Sequence, residues 1–204
     1  MCSASVTLIV AHIFVSTIAF SMGACPKILK RGVSIDDQKF IVNKHNSIRE
    51  MVANNKLPGQ PRGVNLKKLS WNKCLAKKAQ KIADNCESDN VSDTCENFDW
   101  EGRNLFMSIN ASRMNNSSYW LDAILSWFDE HKDYIYGSLY SPRTENYKQI
   151  VWAETYNIGC GFSYFITKAS FRYRKVYVCK YGPGSSWPTN FPYQLGTSGC
   201  EHLC

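Results

Sequence analysis

IGCGFSYFITKASFRYRKVYVCKYG, residues 158–182, decides the fold. Two runs rich in β-branched and aromatic side chains flank the polar turn TKAS (167–170), the pattern of a β-hairpin. Cys160 lies in the first run and Cys179 in the second, so adjacent strands bring them together as a cross-strand disulfide. Just upstream, YKQIVWA (147–153) reads as a further strand, so the chain beyond Pro142 is β.

Before Pro142 the periodicity is helical. Ser34 and Asp36 stand as caps ahead of a first helix over 36–55, with Ile41, His45, Ile48 and Val52 on its apolar face. LPGQPRGVN (57–65) is a loop, since two prolines and two glycines break any element there. Asn72 opens a second helix that runs to Cys86, with Leu75, Ala79, Ile82 and Cys86 inward and Lys77, Lys78 and Lys81 toward water. Residues 87–118 read as long polar loops with room for one strand, around an aromatic island of Phe98, Trp100, Leu105 and Phe106. YWLDAILSWFDEHKDY (119–134) predicts a third helix with Leu121, Ile124, Leu125 and Phe128 facing in. Helices followed by an antiparallel sheet make an α+β chain and exclude a βαβ repeat.

The N-terminus carries an address. Residues 6–20 form an apolar run interrupted only by His12, Ser16 and Thr17, and SMGA follows. That is a secretory signal segment, assigned to 1–23 with cleavage after Gly23, Ser21 and Ala24 being the alternatives. Its n-region lacks Lys and Arg, and its 15-residue run falls short of the ~20 needed to span a bilayer. The remaining 24–204 suit one domain with a cysteine-containing tail at about 188–204. Nine cysteines fall to eight once Cys2 leaves with the signal, and an even count in an exported chain predicts four bridges. Sequons at Asn90, Asn110, Asn115 and Asn116 fit the same compartment, and three of them crowd one polar stretch. Glycans are expected at Asn110 and at one of Asn115 or Asn116.

The formal charge of +7 is spread in ones and twos and forms no basic stripe, which argues against nucleic acid as a partner. Nor is there a nucleophile elbow or an HExxH string, so serine-hydrolase and zinc-protease chemistry have no motif. With all mature cysteines paired, no thiol is left as a nucleophile.

IVNKHNSIRE (41–50), NLKKLSWNKCLAKKAQKIADNC (65–86), SWFDE (126–130), YKQIVWAETYNIGCG (147–161) and VYVCKYGPG (176–184) together resemble the CAP superfamily, and within it the antigen 5-like proteins of arthropod venom and saliva. The resemblance covers most of residues 35–187 in family order. It implies a three-layer α-β-α sandwich around a central antiparallel sheet, with Cys25 bridged to Cys86 and Cys160 to Cys179. The partners of Cys74, Cys95, Cys200 and Cys204 stay open: the tail pair joins each other or staples the tail to Cys74 and Cys95.

Many members of that superfamily hold a divalent metal with two histidines and two acids in a cleft. Carried over residue by residue, those positions are Ser92, Arg103, Glu130 and Asn146, and only Glu130 keeps a ligand. Arg103 brings a fixed positive charge and is placed to pair with Glu130. The three histidines beyond the signal are His45, His131 and His202, and His45 sits on an apolar helix face. The implied protein is an extracellular monomer without cofactor or stable membrane insertion. It is non-catalytic, binding a host protein, a lipid or a small mediator, with allergenicity a family trait. A metal-dependent hydrolase and an ion-channel-directed toxin are the alternatives. No RGD string is present, which excludes integrin antagonism through that tripeptide.

Overall fold

A computed structural model describes residues 27–84, 95, 98–138, 141–168, 170, 172–185, 191–200 and 203–204. The signal segment, the Cys25–Cys86 bridge, Asn90, Ser92 and His202 lie outside the described residues. Among those described, no helix is long and apolar enough to cross a membrane.

The order is β1 (Lys27–Arg31), α1 (Ile35–Ala53), β2 (Ser70–Trp71), α2 (Lys73–Asp84), β3 (Gly102–Asn110), α3 (Trp120–Asp129), a 3-10 turn (Glu130–Lys132), α4 (Glu145–Ile150), β4 (Asn157–Ile166) and β5 (Tyr173–Gly182). The strands lie in the order β1-β4-β5-β3, all antiparallel, and short β2 adds to β4 in parallel. Helices cover both faces, which makes the architecture an α+β three-layer α-β-α sandwich.

Local chemistry explains the helix starts. Ser34 Oγ accepts from the Asp37 N–H at 3.1 Å, with Asp36 and Asp37 in the first turn of α1. Asn72 Oδ1 accepts from the Leu75 N–H at 3.0 Å and caps α2. α2 rests directly on β4 because Gly159 and Gly161 offer no side chain there: a Cβ would stand 2.1 Å from Ala76 N and 2.3 Å from Gln80 N, respectively. Its apolar stripe of Ala79, Ile82 and Ala83 packs on Phe165, Val176 and Val178. On the opposite face α1, α3 and α4 bury Ile41, Ile48, Trp120, Trp127 and Tyr147 against Phe162, Tyr177 and Tyr181. A large side chain buried in this way contributes roughly 1.5–3 kcal/mol.

The structure joins Cys160 to Cys179 at directly opposed positions of β4 and β5. It also pairs Cys74 with Cys95, and Cys200 with Cys204, so the tail bridge closes on itself. Even so, the tail is held: Cys204 N donates to Leu66 O at 2.8 Å, and Gly63 pairs with Leu195.

Four sequence expectations need correction, the first being Lys78, which was expected toward water but is buried on α2 and paired with Glu101. The segment expected as a strand at 147–153 is α4 and its exit turn: the whole stretch is buried, so its apolar run carried no period, and helical bonds such as Val151 N to Tyr147 O at 3.1 Å form instead. In α3 the buried residues are Trp120, Ala123, Ile124 and Trp127, whereas Leu121 and Leu125 are 42% and 36% exposed. Two apolar stripes overlap on that helix, and the one with two tryptophans wins: it buries more area, and Trp127 Nε1 donates to Leu105 O at 3.1 Å. β1 forms where only a polar entry was expected.

Candidate functional site

Glu130 opens the 3-10 turn after α3, and Asn146 lies in the first turn of α4. Their side chains meet: Asn146 Nδ2 donates to Glu130 Oε1 at 2.6 Å, and the Tyr147 N–H donates to Oε2 at 3.0 Å. Burial raises the pKa of Glu130, opposed in part by these hydrogen bonds. Asn104, fully buried on β3, donates to Asn146 O at 3.0 Å and ties the cleft to the sheet.

Arg103 is not part of this arrangement. Side chains alternate along β3, so Asn104 faces α4 while Arg103 takes the α2 face and is exposed. There its charge bears on Lys180, its register partner on β5, and helps to lower that lysine's pKa after the larger effect of burial. The expected Arg103–Glu130 pair does not form, because Arg103 projects from the opposite face of β3 to the one that α4 covers. Ser92 lies outside the described residues, so the four carried-over positions reduce to one contacting pair, Glu130 and Asn146, with Arg103 on the other face.

Neither described histidine, His45 or His131, bonds Glu130. His45 is buried, with Nδ1 2.8 Å from Ile41 O and Nε2 2.9 Å from the Tyr181 hydroxyl. A carbonyl can only accept, so Nδ1 carries the proton and the tyrosine donates to Nε2. Burial brings the His45 pKa down to about 4. His131 stacks on Phe128 at 4.4 Å, and its Nδ1 is 2.8 Å from Phe128 O. No cluster of three His, Cys, Asp or Glu side chains is placed to hold a metal among the described residues. Among the described residues, the donors at the cleft, a carboxylate already bonded and a primary amide, are too few for a zinc site.

Two polar centres escaped the sequence reading. Arg49 is fully buried, and its guanidinium donates to five main-chain carbonyls, of Lys67, Ile150, Trp152, Ala153 and Thr155, at 2.8–3.2 Å. Its position four residues after His45 put it on the same helix face, which was the available signal. Glu101 is held by Lys78 at 2.6 Å and Lys180 at 3.4 Å, and accepts from the Cys95 N–H at 3.2 Å. Burial alone would raise its pKa, but the hydrogen bonds and the two ammonium charges bring it below the usual carboxylate value.

The sequon stretch is anchored from beneath. Lys175 Nζ donates to Asn115 Oδ1 at 3.0 Å and Ser117 O at 2.6 Å, and lies over the rings of Tyr119 and Tyr164. A groove of about 290 Å³ opens beside it, with Phe106, Met114 and Tyr177 among its walls. Asn110, Asn115 and Asn116 are exposed.

The CAP domain, described as the cysteine-rich secretory protein family, matches residues 42–181. The chain is 34% identical over 187 residues to a protein named CRISP/Allergen/PR-1 of Trittame loki, across 85% of this chain and 45% of the relative. It is 30% identical over 200 residues to a salivary antigen-5 of Triatoma infestans, across 84% of this chain and 82% of the relative. Among solved structures, venom allergen-like protein 4 of Schistosoma mansoni superposes with a TM-score of 0.60 at 34% identity, covering 78% of this chain and 94% of that one. The chain belongs to the CAP family and is antigen 5-like within it. It spans less than half the length of the Trittame loki relative.

Proposed function

We propose that this is a secreted, extracellular, non-catalytic CAP protein that works by binding a host protein, a lipid or a small mediator, as a monomer carrying N-glycans on its sequon loop. Relatives named as salivary antigen-5 and venom allergen 5 support delivery in saliva or venom, and allergenicity with it. The observation that carries the non-catalytic reading is the engagement of Glu130: its two oxygens are bonded by Asn146 and Tyr147, while the described histidines, His45 and His131, bond other groups. A polarising metal needs three or four donors converging on one point, and the described part of this cleft supplies one carboxylate.

The test is calorimetric titration of the mature protein with zinc at neutral pH. No saturable site with a dissociation constant in the micromolar range or below is expected. A site of that affinity that disappears in Glu130→Ala would overturn the reading and bring back a metal-dependent hydrolase.

A further inference from the structure

We propose that the open edge of β3 docks a second copy of this chain, and that an N-glycan on Asn110 keeps the mature protein monomeric by occupying that edge. The proposal rests on the reading of Asn110 as a glycan carrier and is independent of the Glu130 cleft. β3 ends the strand order β1-β4-β5-β3, so one of its sides has no neighbour among the described strands. Which groups point to that side follows from partners across the sheet. In an antiparallel ladder, directly opposed residues either bond each other or both turn away, and the two kinds alternate. Ile158 O accepts from Asn72 N at 2.8 Å and Phe162 O from Gly32 N at 2.9 Å, so the even-numbered residues of β4 turn away from β5. Cys179 lies opposite Cys160, and the odd-numbered residues of β5 therefore turn toward β3. Cys179 also lies opposite Asn104, so the even-numbered residues of β3 bond β5 and its odd-numbered ones point outward. The bond from Trp127 Nε1 to Leu105 O agrees.

No described residue bonds the outward N–H or C=O of Met107 or Ile109. Leu105, Met107 and Ile109 are 40%, 38% and 49% exposed and share one face of the strand. A long edge strand with an exposed apolar row is a template for pairing, and proteins blunt such edges with lysine, proline or a bulge. GRNLFMSIN contains neither lysine nor proline, and its register with β5 runs without a bulge. What it carries instead is an exposed acceptor asparagine at its last position.

This edge complements itself. With two copies antiparallel about a two-fold axis at Ser108, Met107 of each meets Ile109 of the other, and the outward N–H and C=O of both residues find partners. The apolar side chains then meet on the face that carries Leu105, and Arg103 stays beyond the paired stretch 106–110. A strand of another protein would have to supply a matching apolar row, which a second copy already has. The same register sets Asn110 opposite Phe106 of the copy, with its side chain on the face of Ser108. A glycan is bulky and hydrated, so sugars on Asn110 would take the place that the copy's Phe106 must occupy.

The experiment compares the secreted, glycosylated protein with its Ser112→Ala variant by sedimentation equilibrium over a range of concentrations. Ser112→Ala removes the acceptor signal but leaves Asn110 in its turn, since the contact there runs from the Ser112 main-chain N–H to Asn110 Oδ1 at 3.0 Å. The parent is expected to stay monomeric, while the apparent mass of the variant rises toward twice the monomer value. Two further changes in the Ser112→Ala background probe the edge itself. Met107→Lys sets a charge on it, and Ile109→Pro deletes an outward N–H while sparing the bonds to β5. Each is expected to raise the dimer dissociation constant roughly tenfold or more, and one result suffices if the other variant does not fold. Self-association that survives these changes would place the contact elsewhere and overturn the proposal. So would a glycosylated parent that dimerises, or a Ser112→Ala variant that stays monomeric, which would leave the edge to a strand of another protein. Mass spectrometry of the peptide around Asn110 separates this inference from the reading beneath it. A monomeric parent without sugar there overturns the guard and the glycan assignment together, whereas sugar at Asn110 upholds that assignment whatever the sedimentation shows.

Discussion

Arg49, buried beneath α1, has no carboxylate among its partners and is solvated by five main-chain carbonyls, whereas Glu101, on the opposite face of the sheet, is held between the ammonium groups of Lys78 and Lys180. Removing an ion from water costs several kcal/mol in a protein interior. On one face fixed dipoles offset that cost, and on the other countercharges do. The first solution holds across the ordinary pH range, since burial brings the Arg49 pKa down only to about 9. The second depends on a group that titrates in acid. The difference identifies Arg49 as a lock on the backbone, joining α1 to the exits of α4 and of the 57–69 loop, and Glu101 as a charge clamp between α2, β3 and β5.

The comparison breaks most visibly at Arg49. Arg49→Met removes the donors and leaves five carbonyls to find others in a dry site. A loss of ~3–5 kcal/mol is expected, the scale of a disrupted buried charge network. Arg49→Lys keeps the charge but offers three donors on a flexible stem, so it is expected to recover less than half of that loss. Guanidinium unfolding with the disulfides intact measures both. A cost below ~1 kcal/mol for Arg49→Met would show that the carbonyls are satisfied elsewhere and that the two faces do not differ in the way described.

Acid sharpens the contrast by separating the faces in pH. His45 shares the Arg49 side, and its folded pKa of about 4 lies below the ordinary value near 6.5. The unfolded chain therefore binds the proton first, and stability falls as pH drops from about 6.5 toward 4, by on the order of 3 kcal/mol. For Glu101 the folded pKa is also depressed, but from a carboxylate value. Its contribution is complete above about pH 4 and is lost as pH falls through the lower folded value. The expected outcome is two successive phases in stability against pH. His45→Phe should flatten the upper phase and Glu101→Gln the lower one. A single phase unchanged by either substitution would contradict the assignment.

What the sequence made legible follows the same physics. The hairpin and the first two helices announced themselves through local signals: caps at Ser34 and Asn72, a helical apolar stripe, a polar turn between β-branched runs. β3 did not, because its pattern is inverted. Asn104, Phe106 and Ser108 face the core side, while Leu105, Met107 and Ile109 face outward, so alternation pointed the wrong way. That inversion also displaced Arg103, since a residue-by-residue carry-over gives a position and not the face of a strand. Arg49 and Asn104 were missed for a related reason: a polar side chain on a buried face reads as solvent-facing until its backbone partners, distant in sequence, are known. In the cleft Glu130 and Asn146 were both legible from the resemblance, but their direct hydrogen bond and the Tyr147 N–H beside it could emerge only once the segment read as a strand became a helix.

The smallest expected effect is at Glu130, and it tests whether the cleft belongs to either mode of holding charge. Burial is the main influence on this carboxylate, and it raises the pKa. A group whose folded pKa is raised contributes stability below its unfolded value and loses it as pH rises through the folded one, so burial works against the ionised form of Glu130. Glu130→Gln removes the charge, keeps the shape, and still offers an oxygen to the Tyr147 N–H. The Asn146 amide can then rotate to present its own oxygen to the new amide. The net change in urea unfolding at pH 7 should stay within about 1 kcal/mol of zero, because weaker hydrogen bonds to an amide are offset by no longer burying a charge. Glu130→Ala should cost more, roughly 1–3 kcal/mol, because the Tyr147 N–H would lose its acceptor. If Glu130→Gln instead costs as much as Glu130→Ala, the negative charge itself is needed, which requires a cation in contact with it. The cleft would then be a charge clamp like that of Glu101, and its reading as a carboxylate held by hydrogen bonds alone would fail.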